Sequence, residues 1–485
     1  MFVSIQYYME DKYHSDNNAA KDRTTIPLVR ALGLFTGILL VAGVMIGSGV
    51  FKKIIPMAQT GLSETAILMA WVVAGIITMF GAFTLSGLSS MTEESGGVYE
   101  YLRLSFGNFF SFLFGWTDFT IMGCASVAAV AFIFAQTVHA LIPLPDPFIS
   151  LEHISIGNFI FPFADSGIKL LAIAAIILLT WVNYRGVRKG GIVNNVVTSA
   201  KILGILMLIV LGLSYIAPAT EPARAITENN LEGGAFFSAL FAAMLSAFWA
   251  YDGWSNISFV TGEIKNPKRN VPLAIICGVS IAMLLYVLVN YAYMHVLSLP
   301  QLAAVDKNTI GAIVVAEEII GAAGKTLIVA LIMVSVFGTL NGIILAHSRV
   351  YFRMAQEKYF FKKAANVHPA YRTPYVSLLY TMIWSSILVI SGTFDMLTDM
   401  VIFAGFLFYG LLAVAVIKMK RKGVIKTKVI GYPVIPVIII LFSIALIVNT
   451  VMVQPKQSLI GLGLVLTSVP FFYYFKKQQQ SSGNK

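Results

Sequence analysis

The chain has 485 residues, 58% of them hydrophobic and 12% charged, with a mean hydropathy of +0.80 and a net charge of +11. A soluble domain carries about 25% charged residues, so the composition points to an all-α polytopic membrane protein; a nucleic-acid partner, which needs a basic face on a soluble fold, is not expected. Two cysteines, Cys124 and Cys277, both in apolar runs, exclude a disulfide framework or a CxxC metal site, and no cofactor is expected.

Residues 1–27 are polar and mixed in charge, including Asp11, Lys12, Asp16, Lys21, Asp22 and Arg23, and read as a tail rather than a cleavable signal. Apolar runs of about 20 residues, enough to cross about 30 Å of hydrocarbon, follow at 28–60, 64–90, 109–140, 167–183, 191–215, 235–261, 272–296, 325–350, 375–392, 395–417, 430–452 and 457–475. That makes twelve transmembrane helices, with a second polar tail at 476–485. The first run holds GVMIGSGVF, Gly43 to Phe51, where Gly47 and Gly49 flank Ser48 and weaken any helix. A helix freed of its ladder inside hydrocarbon survives only where protein or a watery cavity satisfies it, so the break marks a ligand site. The alternative is a packing seam, since Gly43 and Gly47 form a small-xxx-small pair. A second interruption in the sixth run, WAYDGW from Trp249 to Trp254, favours the ligand site.

With the N-terminus in the cytoplasm, one side receives Arg103, Arg185, Arg188, Lys189, Lys265, Lys268, Arg269, Arg349, Arg353, Lys358, Lys362, Lys363, Arg372 and the six basic residues between Lys418 and Lys428. The other side receives Lys52, Lys53, Lys169, Arg224, Lys307, Lys325 and Lys456. By the positive-inside rule both termini are cytoplasmic and the basic balance is a topology signal. Breaks in the first and sixth spans suggest two five-span repeats, 28–215 and 235–417, followed by a pair at 430–475. An odd repeat length inverts the second copy in the membrane and brings the two breaks together near the midplane.

At that meeting point the N–H groups of Ser48, Gly49 and Val50 stand at a positive helix start, suited to a carboxylate. Unpaired carbonyls of Val44 and Met45, and of Phe248, Trp249 and Asp252 in the sixth span, suit an ammonium. An α-amino acid satisfies both. Lys201 lies ten residues beyond Gly191, about 15 Å along the fifth span and so near mid-bilayer. A lysine at that depth is functional by default.

GVMIGSGVF and FWAYDGWSNISFVTGEIKNPKRNVPLAI resemble the first- and sixth-helix signatures of permeases in the amino acid–polyamine–organocation superfamily, L-type branch, close to bacterial serine/threonine exchangers. GGVYEYL at 96–102, VNYRGVRKGGIVNNVVTSAKILG at 182–204 and the stretch 337–374 agree, in the right order over about 30–415. The resemblance implies a LeuT-type 5+5 inverted repeat with broken helices 1 and 6, and transport of L-amino acids in a plasma membrane, usually by obligatory exchange. It places the substrate carboxylate on the amides of Ser48 and Gly49, and the ammonium on the carbonyls of Met45, Trp249 and Asp252. Trp249 matches the outer gate. Lys201 takes the place of a sodium ion and ties helix 1 near Gly43 to helix 8 at Thr339 or Ser335, implying sodium independence. The animal light subunits of this branch bond a glycoprotein through a cysteine between helices three and four. Residues 141–166 contain none, so no disulfide-linked heavy subunit is expected.

Asp252 has two readings, a cap bonding the N–H groups near Ser255 and Asn256, which is preferred, or a reader of cationic side chains. Asp118 is expected to bond neighbouring helices, with a proton relay as the alternative reading; Asn290, Asn341 and His347 are expected to be interhelical hydrogen-bonders rather than ligands. Glu93, Glu94, Glu100 and Glu263 fall among Arg and Lys on the basic side, in ion pairs or solvated. No HExxH motif, paired-Asp motif or Ser/His set supports an intramembrane enzyme. Proton-coupled uptake, exchange of cationic for neutral amino acids, and a non-transporting sensor on the same fold are the alternatives.

Overall fold

A computed structural model describes residues 32–92, 97–157, 160–185, 190–216, 231–371 and 373–483. The tail 1–27, Glu93, Glu94, Arg188, Lys189, Arg224 and Arg372 lie outside the described residues. Among the described residues every regular element is helical; the only ladder contacts are two isolated bridges, Leu32 with Ile264 and Ile156 with Ile160.

The first apolar run forms α1 (Leu34–Met45), stops, and resumes as α2 (Gly49–Lys52) and α3 (Ile54–Ala58). α4 (Glu64–Ser89) is capped by Ser63, whose hydroxyl accepts the Ala66 N–H at 3.3 Å. α5 (Gly97–Phe106) belongs to no apolar run; α6 (Asn108–Thr117) continues through a π-helical turn, Asp118–Met122, into α7 (Gly123–Leu141). α8 (Ser166–Arg185) and α9 (Gly190–Leu213) follow. α10 (Gly233–Tyr251) ends at Asp252, and Trp254–Glu263 then winds as a 3-10 helix. Next come α11 (Pro267–Val296), α12 (Leu299–Ala304) and α13 (Gly311–Gln356), then α14 (Tyr375–Ser391) and α15 (Phe394–Arg421). α16 (Val434–Val453), α17 (Pro455–Leu466) and α18 (Ser468–Gly483) close the chain.

Nine helices among the described residues are long and apolar enough to cross a membrane; three shorter apolar ones, Leu34–Met45, Val197–Leu213 and Tyr375–Ser391, stand at the expected first, fifth and ninth spans. The chain is therefore a multi-pass membrane protein. Two expected boundaries move. α13 begins well before 325, and Gly321, at φ 65°, breaks its ladder in a conformation that only glycine enters freely. α18 runs to Gly483, so most of the expected tail 476–485 is helical.

In lipid, helices associate through close packing of small residues rather than through a hydrophobic drive. A Cβ on Gly278 of α11 would lie 2.6 Å from Val41 of α1, and one on Gly37 would lie 3.1 Å from Ala274, so these helices touch almost backbone to backbone. Large apolar side chains such as Leu203, Val210, Leu284 and Leu441 point outward, as a lipid-facing surface requires. Lys52 and Lys53, where the first span resumes, are buried, 0% and 1% exposed.

Candidate functional site

The two interruptions face each other. Gly49, opening α2, has no room for a side chain, since a Cβ there would lie 2.6 Å from Ala250 Cα at the end of α10. Gly253, at φ 95°, lies against α1, where a Cβ would meet Val44 Cγ1 at 2.4 Å. Gly47 differs, with nothing nearer than the Val44 carbonyl at 3.6 Å, whereas a Cβ on Gly43 would meet Thr198 Oγ1 at 2.3 Å. Gly43 is thus the packing seam and Gly47 lines open space.

The last four carbonyls of a helix lack intrahelical partners, and those of α1 find several. Ala42 O accepts the Ile46 N–H at 2.8 Å and Met45 O accepts the Gly47 N–H at 2.7 Å. Met45 O also accepts the Tyr286 hydroxyl at 2.7 Å, the same hydroxyl that lies 3.0 Å from Ala250 O. Met45 O, an expected ammonium acceptor, is therefore already engaged twice. In α10 the Asp252 N–H turns to Trp249 O at 3.2 Å, leaving Phe248 O without its helical donor. The N–H groups of Ser48, Gly49 and Val50 begin the resumed helix with no preceding turn to donate to. The Ser48 hydroxyl accepts the Trp249 indole N–H at 3.2 Å.

Lys201, 3% exposed, donates to Gly43 O at 3.1 Å and to Thr339 Oγ1 at 2.7 Å. Thr339 passes its own proton to Ser335 O at 3.1 Å, so Ser335 joins through its backbone and its hydroxyl is not a Lys201 partner. The ammonium thereby links α1, α9 and α13 through neutral acceptors.

These elements enclose a cavity of about 60 Å³, lined by Val44, Met45, Gly47, Ser48, Gly49, Trp249, Asp252 and Thr339 among others. A single water needs roughly 10–15 Å³, so there is room for one small solute. Phe248 is turned away, its ring packing edge-on to Phe406 at 4.6 Å between centroids. The Asp252 carboxylate accepts from the Tyr409 hydroxyl at 3.3 Å, while the Asn256 N–H goes to Gly253 O, so that half of the expected cap is not formed. Asp118 and His347, expected to bond neighbouring helices, bond each other at 2.9 Å, and both line the cavity. Asn341 accepts from Asn183 on α8 at 2.9 Å, but the Asn290 amide bonds Tyr286 O within its own helix. Glu100 is buried and paired with Arg103 at 2.5 Å, not solvated.

On one side of the cavity Trp249 meets Phe394 edge-on at 6.0 Å. Both Lys52 and Lys53 stand over the Phe394 ring at 4.8 Å. Lys53 is paired with Asp395 at 2.6 Å and donates to Thr398 at 2.8 Å; Lys52 donates to Gln136 at 2.6 Å. Sequence reasoning missed this layer, together with Tyr286 and Tyr409. The one signal for the tyrosines was a hydroxyl inside an apolar run, which needs a buried partner. Among the described residues no group of three or more His, Cys, Asp or Glu is placed to hold a metal ion.

A family model described as amino acid permease matches residues 32–474. The chain is similar to the serine/threonine exchanger SteT of Bacillus subtilis (strain 168), 29% identical over 471 residues that cover 95% of this chain and 98% of that protein. It is 28% identical to the b(0,+)-type amino acid transporter 1 of Homo sapiens, with 90% and 85% covered. It is 29% identical to the human large neutral amino acids transporter small subunit 2, with 92% and 80% covered.

Proposed function

The chain belongs to the amino acid permease family, and from that membership and its cavity we propose that it is a sodium-independent exchanger of small neutral L-amino acids, working by alternating access. Its architecture in this reading is twelve spans in two inverted repeats, 28–215 and 235–417, followed by 430–475. The nine long and three shorter apolar helices, and the two interruptions facing each other, support that count and symmetry. The arginine- and lysine-rich face is cytoplasmic with both termini, and the membrane is the plasma membrane.

The observation that carries the reading is the contact of Gly49 with Ala250 and of Gly253 with Val44, which sets N–H donors of one broken helix beside freed carbonyls of both. The substrate carboxylate sits on the amides of Ser48, Gly49 and Val50. Because Met45 O is taken by Tyr286 and Gly47, the ammonium is assigned to Val44 O and to the Phe248–Asp252 end of α10, with Trp249 closing the outer side. Lys201 fills with its ammonium the place that the family resemblance gives to a sodium ion. No disulfide-linked subunit is required, since Cys124 is buried, Cys277 is half-buried and residues 141–166 hold no cysteine. The similarity to a serine/threonine exchanger supports small polar substrates.

The test is counterflow in liposomes, with labelled serine outside and an unlabelled panel inside. Uptake should require internal amino acid, ignore sodium, and be competed only by compounds carrying both ammonium and carboxylate. Uptake into empty liposomes driven by an imposed pH gradient would replace exchange by symport, and no uptake under either regime would overturn the reading. The Asp118–His347 pair in the cavity wall is the observation that keeps proton coupling as the second reading.

A further inference from the structure

We propose that Asp118 and His347 form a proton-binding site in the cavity wall, and that its occupancy sets whether the cavity favours a neutral or a cationic amino acid. The proposal rests on the cavity being the amino acid site. Three features build the pair. Asp118 opens a π-helical turn, Asp118–Met122, the kind of local bulge that re-aims side chains at functional sites. Gly123 follows at once, and a Cβ there would lie 2.5 Å from His347 Nδ1 and 2.4 Å from the Tyr351 hydroxyl, so only glycine lets the imidazole reach the carboxylate. The Tyr351 hydroxyl donates to the Asp118 carbonyl at 3.1 Å and holds that turn in place.

With Asp118 ionised, its carboxylate only accepts, so the nitrogen 2.9 Å from Oδ2, His347 Nδ1, then carries a hydrogen. That leaves Nε2 to take a proton from water or release it, with no other bond made or broken. Both side chains line the cavity, and the His347 side chain, 12% exposed against 2% for Asp118, is the more accessible of the two.

The surrounding charges give the sign. His347 faces Asp118 on the π-helical turn, Cys124 of α7 by way of Tyr351, Asp252 at the end of α10, and behind it Tyr409 of α15. Neighbouring cations point elsewhere: Lys201 of α9 to Gly43 and Thr339, Lys52 of α2 to Gln136, and Lys169 of α8 to Phe161. α14 offers only Tyr375 and Tyr380, and Tyr286 of α11 is held by backbone carbonyls. Lys362 and Lys363 lie exposed. No lysine or arginine lines the cavity. With the imidazolium present, Asp118 is neutralised and a zwitterion is tolerated. Once it loses the proton, the Asp118 charge behind it is no longer offset, which disfavours a substrate carboxylate and favours a cationic side chain.

The test follows the six histidines of the full chain by nitrogen NMR in nanodiscs, with His347→Gln, or His347→Asn should the first variant fail to fold, identifying the relevant signal. That signal should change protonation as pH is varied, and Asp118→Asn should shift the pH at which it does. A signal that does not titrate, or that ignores Asp118→Asn, overturns the proton site. On the same samples, serine binding should weaken about tenfold as the imidazole loses its proton, lysine binding should strengthen, and both trends should flatten in the His347 variant. Serine and lysine binding without those opposed trends overturns the selectivity claim and leaves the carrier reading standing. A signal that titrates as expected in a protein binding neither amino acid overturns the carrier reading, and the selectivity claim with it, while the proton site stands.

Discussion

Lys201 and Lys53 are both buried lysines in the same bundle, and their partners could hardly differ more. Lys53 meets a carboxylate, Asp395 at 2.6 Å, and a hydroxyl, Thr398 at 2.8 Å. Lys201 meets a backbone carbonyl and the hydroxyl of Thr339. A lysine paired with a carboxylate is neutral as a unit, so it can join two helices and part from them at modest cost where water can reach it. Asp395, 30% exposed on its side chain, is so placed. A lysine held by neutral dipoles has no counter-charge beside it, so any charge it carries is repaid only by a fixed geometry. The contrast is between a pair neutral as a unit at the edge of water and a lysine held only by neutral dipoles.

The strongest way to break this contrast is Lys201→Ala. It removes two charge-assisted bonds worth about 1.5–3 kcal/mol each, so exchange measured in liposomes should fall at least about a hundredfold. Unchanged exchange would remove Lys201 from the mechanism. The Lys53 pair should behave differently, because its chemistry is portable. Lys53→Asp or Asp395→Lys alone sets like charges together and should slow exchange about tenfold, the cost discounted for the exposed carboxylate. The double swap, Lys53→Asp with Asp395→Lys, should recover most of that loss, and no recovery would mean the pair acts through packing alone. Tyr286→Phe is the smallest step. It removes one neutral hydroxyl at a cost of about 1 kcal/mol, so exchange should slow about fivefold, and a loss as large as that of Lys201→Ala would put a neutral tie on a par with a charged one.

Much of the site could be read from the chain because its signals are local. Two glycines around Ser48, and WAYDGW inside an apolar run, announce interrupted helices wherever they stand. Lys201 announces itself by depth. What escaped depends on partners distant in sequence. Asp395 lies 342 positions from Lys53, and Asp118 lies 229 from His347. Hydropathy alone scores Lys52 and Lys53 as a membrane edge, since nothing nearby shows the carboxylate and amide that receive them. The Met45 carbonyl could be named as freed, but not as filled, because Tyr286 reaches it from another helix. The early start of α13 escaped for a different reason: the segment before Gly321 is a helix too short and too polar, with Glu317 and Glu318, to read as a span.

The hydroxyl of Tyr286 has one hydrogen and two carbonyls within reach, Met45 at 2.7 Å and Ala250 at 3.0 Å, each on a different broken helix. A lone hydrogen cannot serve both oxygens fully at once, so the two strands of backbone share it. Were one of them to move away, the hydrogen would pass wholly to the other, and neither the tyrosine nor the segment left behind would be stranded dry in the bundle. The enthalpy lost in separating the two would then be less than two full bonds, as in a bearing rather than a rivet.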